Sequence, residues 1–317
     1  MLIAMEHINN EFFNSLLPNL EVPMKSFRMP MFFFLSGLVF KTYGSFNEFL
    51  RKKINGLIIS LLFFHFICSA LRLPLVTAVH YINPNVDLRF TLIDIMPPIF
   101  DRFWRSAGAL WFLAALFNVN ILFYFFKRYF SRAGIIVATF ICSMLGWVLM
   151  RKGIMLPFEF DISLVSLPYF MLGYAIKNFN LVSPSKYDKW GILIIIPSWI
   201  FLYFFSNDIN LLYQVVPDYL SLYSIPFIAI LSLFWFSKNL GKVPLVCYYG
   251  RYSLIVLGTH QVIISYLGCL FAGIGLHSDI LQYVLVMLAE LLVIPLMIKY
   301  FPRFTAQKDF FKPGWNL

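Results

Sequence analysis

Nine long apolar runs, separated by polar or basic connectors, leave this chain very few possible folds. Most runs approach the roughly 20 residues that an α-helix needs to cross a ~30 Å hydrocarbon core. Apolar residues follow one another within each run, which predicts helices whose backbone hydrogen bonds close internally, as lipid requires. The runs cover residues 27–41, 54–71, 109–126, 134–150, 162–176, 190–205, 219–236, 252–274 and 279–300.

Composition supports a membrane environment. Hydrophobic residues make up 60% of the 317 residues and charged residues 13%, and the mean hydropathy is +0.78. Soluble domains have roughly 45–50% apolar and about 25% charged residues. A water-soluble core cannot bury this much apolar surface, so we predict an all-α, polytopic transmembrane bundle that forms one domain over residues 1–317.

The net charge of +10 follows from topology. Alternate connectors and the C-terminal tail carry 17 of the 25 Lys and Arg residues, and the opposite set carries eight. Basic residues collect in cytoplasmic loops, so the richer side and the C-terminus are predicted to be cytoplasmic. The charge therefore gives no reason to expect a nucleic-acid partner.

The first eight residues are apolar, but at about 12 Å of helix they are too short to cross a bilayer. They lack the basic start and the small-residue cleavage site of a signal peptide. We interpret them as the outer half of a first helix. The expected architecture has ten helices, with the first one incomplete at the N-terminus.

Ionisable side chains inside membrane spans cost roughly 2.5–3.5 kcal/mol on insertion scales, so each one is a candidate functional residue. His7 and Arg28 are expected near the outer leaflet, where a guanidinium favours a neutral imidazole that can accept a proton. A helix cap and a snorkelling arginine are the alternative reading. His260 and Glu290 are expected near mid-membrane on oppositely running helices, where they can pair. His65, flanked by phenylalanines, is predicted to be structural.

Several common catalytic and binding motifs are missing from the sequence. It contains no phosphate-binding glycine loop, nucleophile elbow or zinc motif. Its four cysteines form no C-x-x-C pair, so we expect no metal site and no disulfide. These observations leave two classes open: a membrane enzyme with a polar intramembrane site, or a glycan or lipid transporter, flippase or polymerase. No matched pair of broken helices, which would favour a transporter, is visible.

Several motifs, in order along the chain, resemble the membrane acyltransferase family 3. These are bacterial O-acyltransferases of cell-surface glycans, among them fucose 4-O-acetylase-like proteins. The segment Phe27-Arg-Met-Pro-Met-Phe-Phe-Phe-Leu-Ser-Gly37 resembles the second-helix motif of the family and is the most specific match. Weaker similarities are Leu2-Ile-Ala-Met-Glu-His7, Phe49-Leu-Arg-Lys-Lys53, Leu110-Trp-Phe-Leu113, Pro168-Tyr-Phe-Met-Leu-Gly-Tyr174 and Gly250-Arg-Tyr-Ser-Leu254 leading to His260.

The resemblance implies transfer of an acetyl or other short acyl group from acetyl-CoA to a sugar hydroxyl of an envelope glycan or its lipid-linked precursor. It makes His7 the general base and Arg28 a group that stabilises the oxyanion or orients the sugar. The implied location is the bacterial inner membrane. The remaining candidate substrate- and donor-binding residues are Glu6, Arg51, Lys53, Trp111, His260 and Glu290.

The sequence departs from the family pattern at three places. The family has an arginine about eleven residues before its first-helix histidine, a position that precedes Met1. Glu6 stands where a glycine is usual, and Arg28 stands where a histidine is usual. The last two changes are expected to affect substrate preference. Neither the acceptor sugar, the acyl group nor the oligomeric state follows from the sequence.

Overall fold

The computed structural model describes residues 21–82, 108–183, 188–276 and 278–311. Within them the chain is helical, and no strand longer than an isolated bridge occurs. The helices are α1 (Glu21–Leu38), α2 (Phe46–Lys53), α3 (Ile59–Ile82), α4 (Trp111–Tyr129), α5 (Arg132–Arg151), α6 (Phe160–Asn178), α7 (Gly191–Phe205), α8 (Tyr219–Leu240), α9 (Pro244–Arg251), α10 (Ser253–Gly273) and α11 (Asp279–Tyr300).

Each of the nine apolar runs lies on a helix, which confirms the all-α prediction. Six stretches in the described residues are long and apolar enough to cross a membrane: Phe46–Ala78, Gly108–Tyr129, Arg132–Arg151, Tyr219–Leu240, Ser253–Gly273 and Asp279–Tyr300. The short helices α2 and α9 are additional to the predicted runs. Because α2 carries three cations and a glutamate in eight residues, its hydropathy alone gives no sign of a membrane-associated helix.

The second-helix motif lies deeper in its helix than the apolar run 27–41 indicates. Helix α1 begins at Glu21, so Pro30 lies inside the helix and not in its first turn. Proline is tolerated within membrane helices because neighbouring groups satisfy the carbonyl that it releases. The run underestimated α1 because Glu21 and Lys25 interrupt the apolar pattern without interrupting the helix.

Contacts divide the chain into two compact units. Among the described residues, the first unit comprises 44–82, 108–117, 245–276 and 278–311, and the second comprises 21–43, 118–183 and 188–244.

In the second unit, α1 crosses α6 at a pair of glycines. A Cβ atom built on Gly37 would overlap the carbonyl oxygen of Phe170, and one built on Gly173 would overlap that of Phe34. Small residues allow membrane helices to approach this closely. The crossing brings together the two motifs on which much of the family resemblance depends, because Gly37 ends one and Gly173 belongs to the other.

Two tyrosines link α6 and α8 of the second unit near the proline that each helix contains. Pro226 cannot donate to the Leu222 carbonyl, and the hydroxyl of Tyr169 on α6 donates to that oxygen instead. The hydroxyl of Tyr223 on α8 donates to the Val165 carbonyl, three residues before Pro168. The two bonds tie α6 to α8. The first satisfies the carbonyl that Pro226 cannot reach, and the second adds a bond to the Val165 carbonyl about one turn before Pro168.

The first unit packs α3, α10 and α11 closely. Gly258 of α10 lies against the ring of Phe64, and the thiol of Cys68 donates to the Gly258 carbonyl at 3.1 Å. The hydroxyl of Tyr249 donates to the Met287 carbonyl at 2.6 Å. This packing sets the position of the polar residues that follow Gly258.

Candidate functional site

A buried acid forms the centre of the candidate site in the first unit. Glu290 of α11 is fully buried, and the hydroxyl of Thr259 on α10 donates to its Oε1 atom at 2.8 Å. The same hydroxyl lies 2.9 Å from the Ile255 carbonyl oxygen. The Oε2 atom of Glu290 has no hydrogen-bond partner among the described residues. A carboxyl oxygen in this position can accept a bond from, or exchange a proton with, a group that enters the site.

His260 follows Thr259 on α10 and is also fully buried. Its Nδ1 atom lies 2.7 Å from the Val256 carbonyl oxygen. If the ring donates from Nδ1, this contact leaves the Nε2 nitrogen as the acceptor. The sequence predicted that His260 and Glu290 lie at one depth. The structure adds Thr259, which joins α10 to the carboxylate and whose side chain gave no signal in the sequence.

Trp111 belongs to the same unit. The short 3₁₀ turn Gly108–Leu110 that precedes α4 packs against α10, where a Cβ on Gly108 would lie 3.2 Å from Nε2 of Gln261. Gln261 directly follows His260 in sequence. Trp111 itself is buried. The Leu-Trp-Phe-Leu motif therefore begins close to the point where the motif that leads to His260 ends, although Leu110 and His260 are 150 residues apart in the chain.

Arg51 and Lys53 lie in the last turn of α2. Arg51 is buried and Lys53 is half-buried, with its Nζ atom 5.5 Å from the centre of the Phe49 ring. Lys52, between them, is 3.7 Å from Glu48. The helical backbone continues from α2 through a π-helical turn, Ile54–Ile58, into α3, so these cations lie within a continuous helix. The turn presents a positive group that can receive an anion.

Arg28 belongs to the second unit, where it lies inside α1 and is only 6% exposed. A guanidinium cannot be neutralised in a protein, so its burial requires hydrogen-bonding or charged neighbours. Glu6 and His7 lie outside the described residues. The predicted proximity of His7 to Arg28 therefore stays a prediction.

A second buried polar group was missed by the sequence reasoning. In the second unit, Asp161 is fully buried, and its carboxylate accepts bonds from the Leu156 amide at 3.2 Å and from Nε2 of Gln214 at 3.1 Å. The preceding Phe158 and Glu159 have φ angles of 54° and 59°. The side chain of Asn118 donates to the Phe158 carbonyl and so holds this turn. The available signal was an acidic pair directly before an apolar run.

The part of the chain that the structure describes contains no group of three or more His, Cys, Asp or Glu side chains able to hold a metal ion.

These features define an integral membrane protein of many helices that buries an acid, a histidine and an arginine away from water. A family model described as an acyltransferase domain, acyltransferase family 3, matches residues 3–299. The chain belongs to this family and is a membrane acyltransferase. No curated protein and no solved structure gives a significant match.

Proposed function

We propose that this protein transfers an acetyl or other short acyl group from acyl-CoA to a sugar hydroxyl of a bacterial envelope polysaccharide or its lipid-linked precursor. The observation that carries the proposal is membership of the acyltransferase family over nearly the whole chain. The buried ionisable groups support it, because acyl transfer needs a proton acceptor and a group that stabilises negative charge. The proposed location is the inner membrane, with a cytoplasmic C-terminus.

In this mechanism His7 acts as the general base. Its imidazole removes the proton from the sugar hydroxyl while the oxygen bonds to the thioester carbonyl carbon. The C–S bond then breaks, the acyl ester remains on the sugar, and the proton passes to the departing thiolate of CoA. Positioned general bases contribute typically 10²–10⁴-fold to such rates.

Arg28 is proposed to stabilise the oxyanion of the tetrahedral intermediate. Its permanent charge and its burial suit this role, because a preorganised cation in a dry site interacts with developing charge more strongly than in water. Glu6, next to His7 in sequence, is proposed to contact the acceptor sugar. Trp111 is proposed to stack on a sugar or on adenine.

The α2 turn is the proposed anchor for the phosphates of CoA. Three consecutive cations, Arg51, Lys52 and Lys53, suit a ligand with several phosphate groups, and the charge-assisted bonds of Arg51 suit them best. Thr259, His260 and Glu290 are proposed to contact the donor or the acceptor, because the second carboxyl oxygen of Glu290 can accept a hydrogen bond from a hydroxyl or amide group.

The test compares envelope glycans of cells that express the wild type, His7→Ala, Arg28→Lys or the control Arg132→Lys. Mass spectrometry measures the mass increment of the acyl group on the sugar. We expect His7→Ala to lower transfer at least about 100-fold. Arg28→Lys keeps the positive charge but loses the planar guanidinium group with its paired hydrogen-bond donors. We therefore expect transfer to fall about tenfold or more. Arg132 begins α5 and is exposed, so its variant should behave as wild type.

Protein abundance in the membrane fraction serves as the internal control. A His7→Ala variant that is present at normal amount and leaves acylation unchanged contradicts the proposal. The same holds if purified protein with acyl-CoA modifies an amine or a lipid hydroxyl and no sugar.

A further inference from the structure

Helix α7 of the second unit carries an apolar groove on its own surface. Its volume is about 540 Å³, and the residues that line it are Ile195, Ile196, Trp199, Ile200, Tyr203 and Phe204. Ile196 and Phe204 are 65% and 71% exposed. The ring of Trp199 packs edge-on against Phe27 of α1, with centroids 5.6 Å apart, and so forms a fixed wall. The groove has the dimensions and chemistry to hold a lipid chain.

At its C-terminal end the groove meets a pocket of different chemistry. This pocket, about 420 Å³ in volume, lies between the end of α7 and the beginning of α8, and Phe204 borders both cavities. Its lining consists of Phe201, Phe204, Phe205, Ser206, Asn207, Ser221, Ser224 and Ile225. Hydroxyl and amide groups pair with sugar hydroxyls, and aromatic side chains offer faces to the apolar side of a sugar ring.

The charge of the pocket lining indicates which kind of lipid head group fits, an uncharged sugar or an anionic group. Of the described residues, none that lines the pocket is charged. No Lys or Arg occurs between Lys189 and Lys238, while Asp208 and Asp218 lie in the same stretch. Arg151 of α5 reaches the connector, where its guanidinium is 3.5 Å from the Val216 carbonyl oxygen, but it does not line the pocket. A phosphate head would thus meet no cation among the described residues that line the pocket.

We propose that this groove and pocket form a glycolipid site. The apolar tail lies along α7, and an uncharged, hydroxyl-bearing sugar head occupies the pocket at the end of the helix. This inference rests on the proposed function and narrows it: the acceptor sugar reaches the enzyme attached to a lipid.

The test measures binding by photocrosslinking. The full chain is placed in phosphatidylcholine nanodiscs that contain a small fraction of glucosyl diacylglycerol with a diazirine in its acyl chain. Two matched probes have the same tails, one without the sugar and one with a phosphoglycerol head. We expect the glucosyl probe to label the α7 peptide several-fold more than either matched probe, and unlabelled glucosyl lipid to compete with it.

Variants distinguish binding of the lipid tail in the groove from binding of the sugar head in the pocket. Ile196→Trp fills the groove and should lower labelling of α7 several-fold. Leu193→Trp is the control, because Leu193 is 61% exposed on the same helix but does not line the groove. Ser221→Ala with Ser224→Ala should remove the preference for the glucosyl probe while leaving labelling by the sugar-free probe unchanged.

Equal labelling by the three probes would show ordinary boundary lipid and overturn the proposal, as would preference for the phosphoglycerol head. Photocrosslinking measures lipid binding and does not require acyl transfer. A selective site in a His7→Ala protein therefore supports the glycolipid proposal independently, and loss of selectivity in an active enzyme contradicts this inference alone.

Discussion

A fully buried carboxyl group needs compensation, and at Glu290 the structure supplies it with a single hydroxyl. Thr259 has one hydrogen to donate, and two oxygens, Oε1 of Glu290 and the Ile255 carbonyl, lie at 2.8 and 2.9 Å from it. The remaining carboxyl oxygen has no partner among the described residues. Glu290 is consequently held in place by one oxygen, and its other oxygen is available for a further hydrogen bond.

We predict that Thr259→Val destabilises the protein by about 1–3 kcal/mol, because it removes the donor to a buried carboxyl group. Glu290→Gln should cost less, because its amide oxygen still accepts the bond. The double variant Thr259→Val with Glu290→Met should be more stable than Thr259→Val alone, because both polar partners are gone. The unfolding free energy in detergent micelles measures these effects.

Thr77 provides the matched control. Its hydroxyl also donates to a carbonyl four residues earlier, at 2.8 Å, but the residue is exposed. Thr77→Val should leave the unfolding free energy unchanged within about 0.5 kcal/mol. Equal effects of the two threonine substitutions would show that the bond to Glu290 contributes nothing.

Among the helices, the crossing of α1 and α6 depends on the absence of two side chains. We predict that Gly37→Ala and Gly173→Ala each destabilise the protein by roughly 1–3 kcal/mol or more, because a methyl group would overlap backbone that cannot move alone. Thermal unfolding in detergent or nanodiscs measures the loss.

Gly250→Ala in α9 is the control for this crossing. A Cβ at Gly250 meets no atom within 4 Å. The alanine should therefore be neutral or stabilising, by up to about 1 kcal/mol, through its better helix propensity. If all three glycine variants behave alike, close approach of the helices does not determine stability here.

Over the whole molecule, the basic connectors are predicted to set the orientation. We expect green fluorescent protein fused after Leu317 to fluoresce, and alkaline phosphatase inserted in the connector 206–218 to be active. The reason is that the 206–218 connector has no Lys or Arg, whereas the tail belongs to the basic set. If alkaline phosphatase fused to the C-terminus is active instead, the orientation is the opposite of the predicted one.

Some of these cations also have a structural role in the second unit. The Nζ atom of Lys177 donates to the Phe40 carbonyl at 2.7 Å, just past the end of α1. Lys238 donates to the Leu181 and Ser183 carbonyls and forms an ion pair with Asp188 at 2.8 Å. Replacing a connector lysine thus changes packing as well as charge, and topology experiments should leave these two in place.

The positions of the helices followed from the sequence, since hydropathy measures directly what a bilayer selects. Helix ends were less accurate. Charged residues such as Glu21 and Lys25 end an apolar run but not a helix, and α2 is amphipathic. Of the candidate site, burial of Arg28, His260 and Glu290 could be expected from their place in apolar runs. Thr259 could not, because a threonine in a span has no distinguishing pattern.

By itself, the sequence determined that the chain lies in a lipid bilayer, that its fold is helical and which family it belongs to. Each of these depends on residue type and order along the chain. Only the tertiary structure decided that Thr259 joins α10 to Glu290, that two glycines bring α1 against α6, and that a polar pocket follows the apolar groove of α7. The physical reason is that these features join residues that are distant along the chain. Distances across helices depend on packing, and local hydropathy contains no information about them.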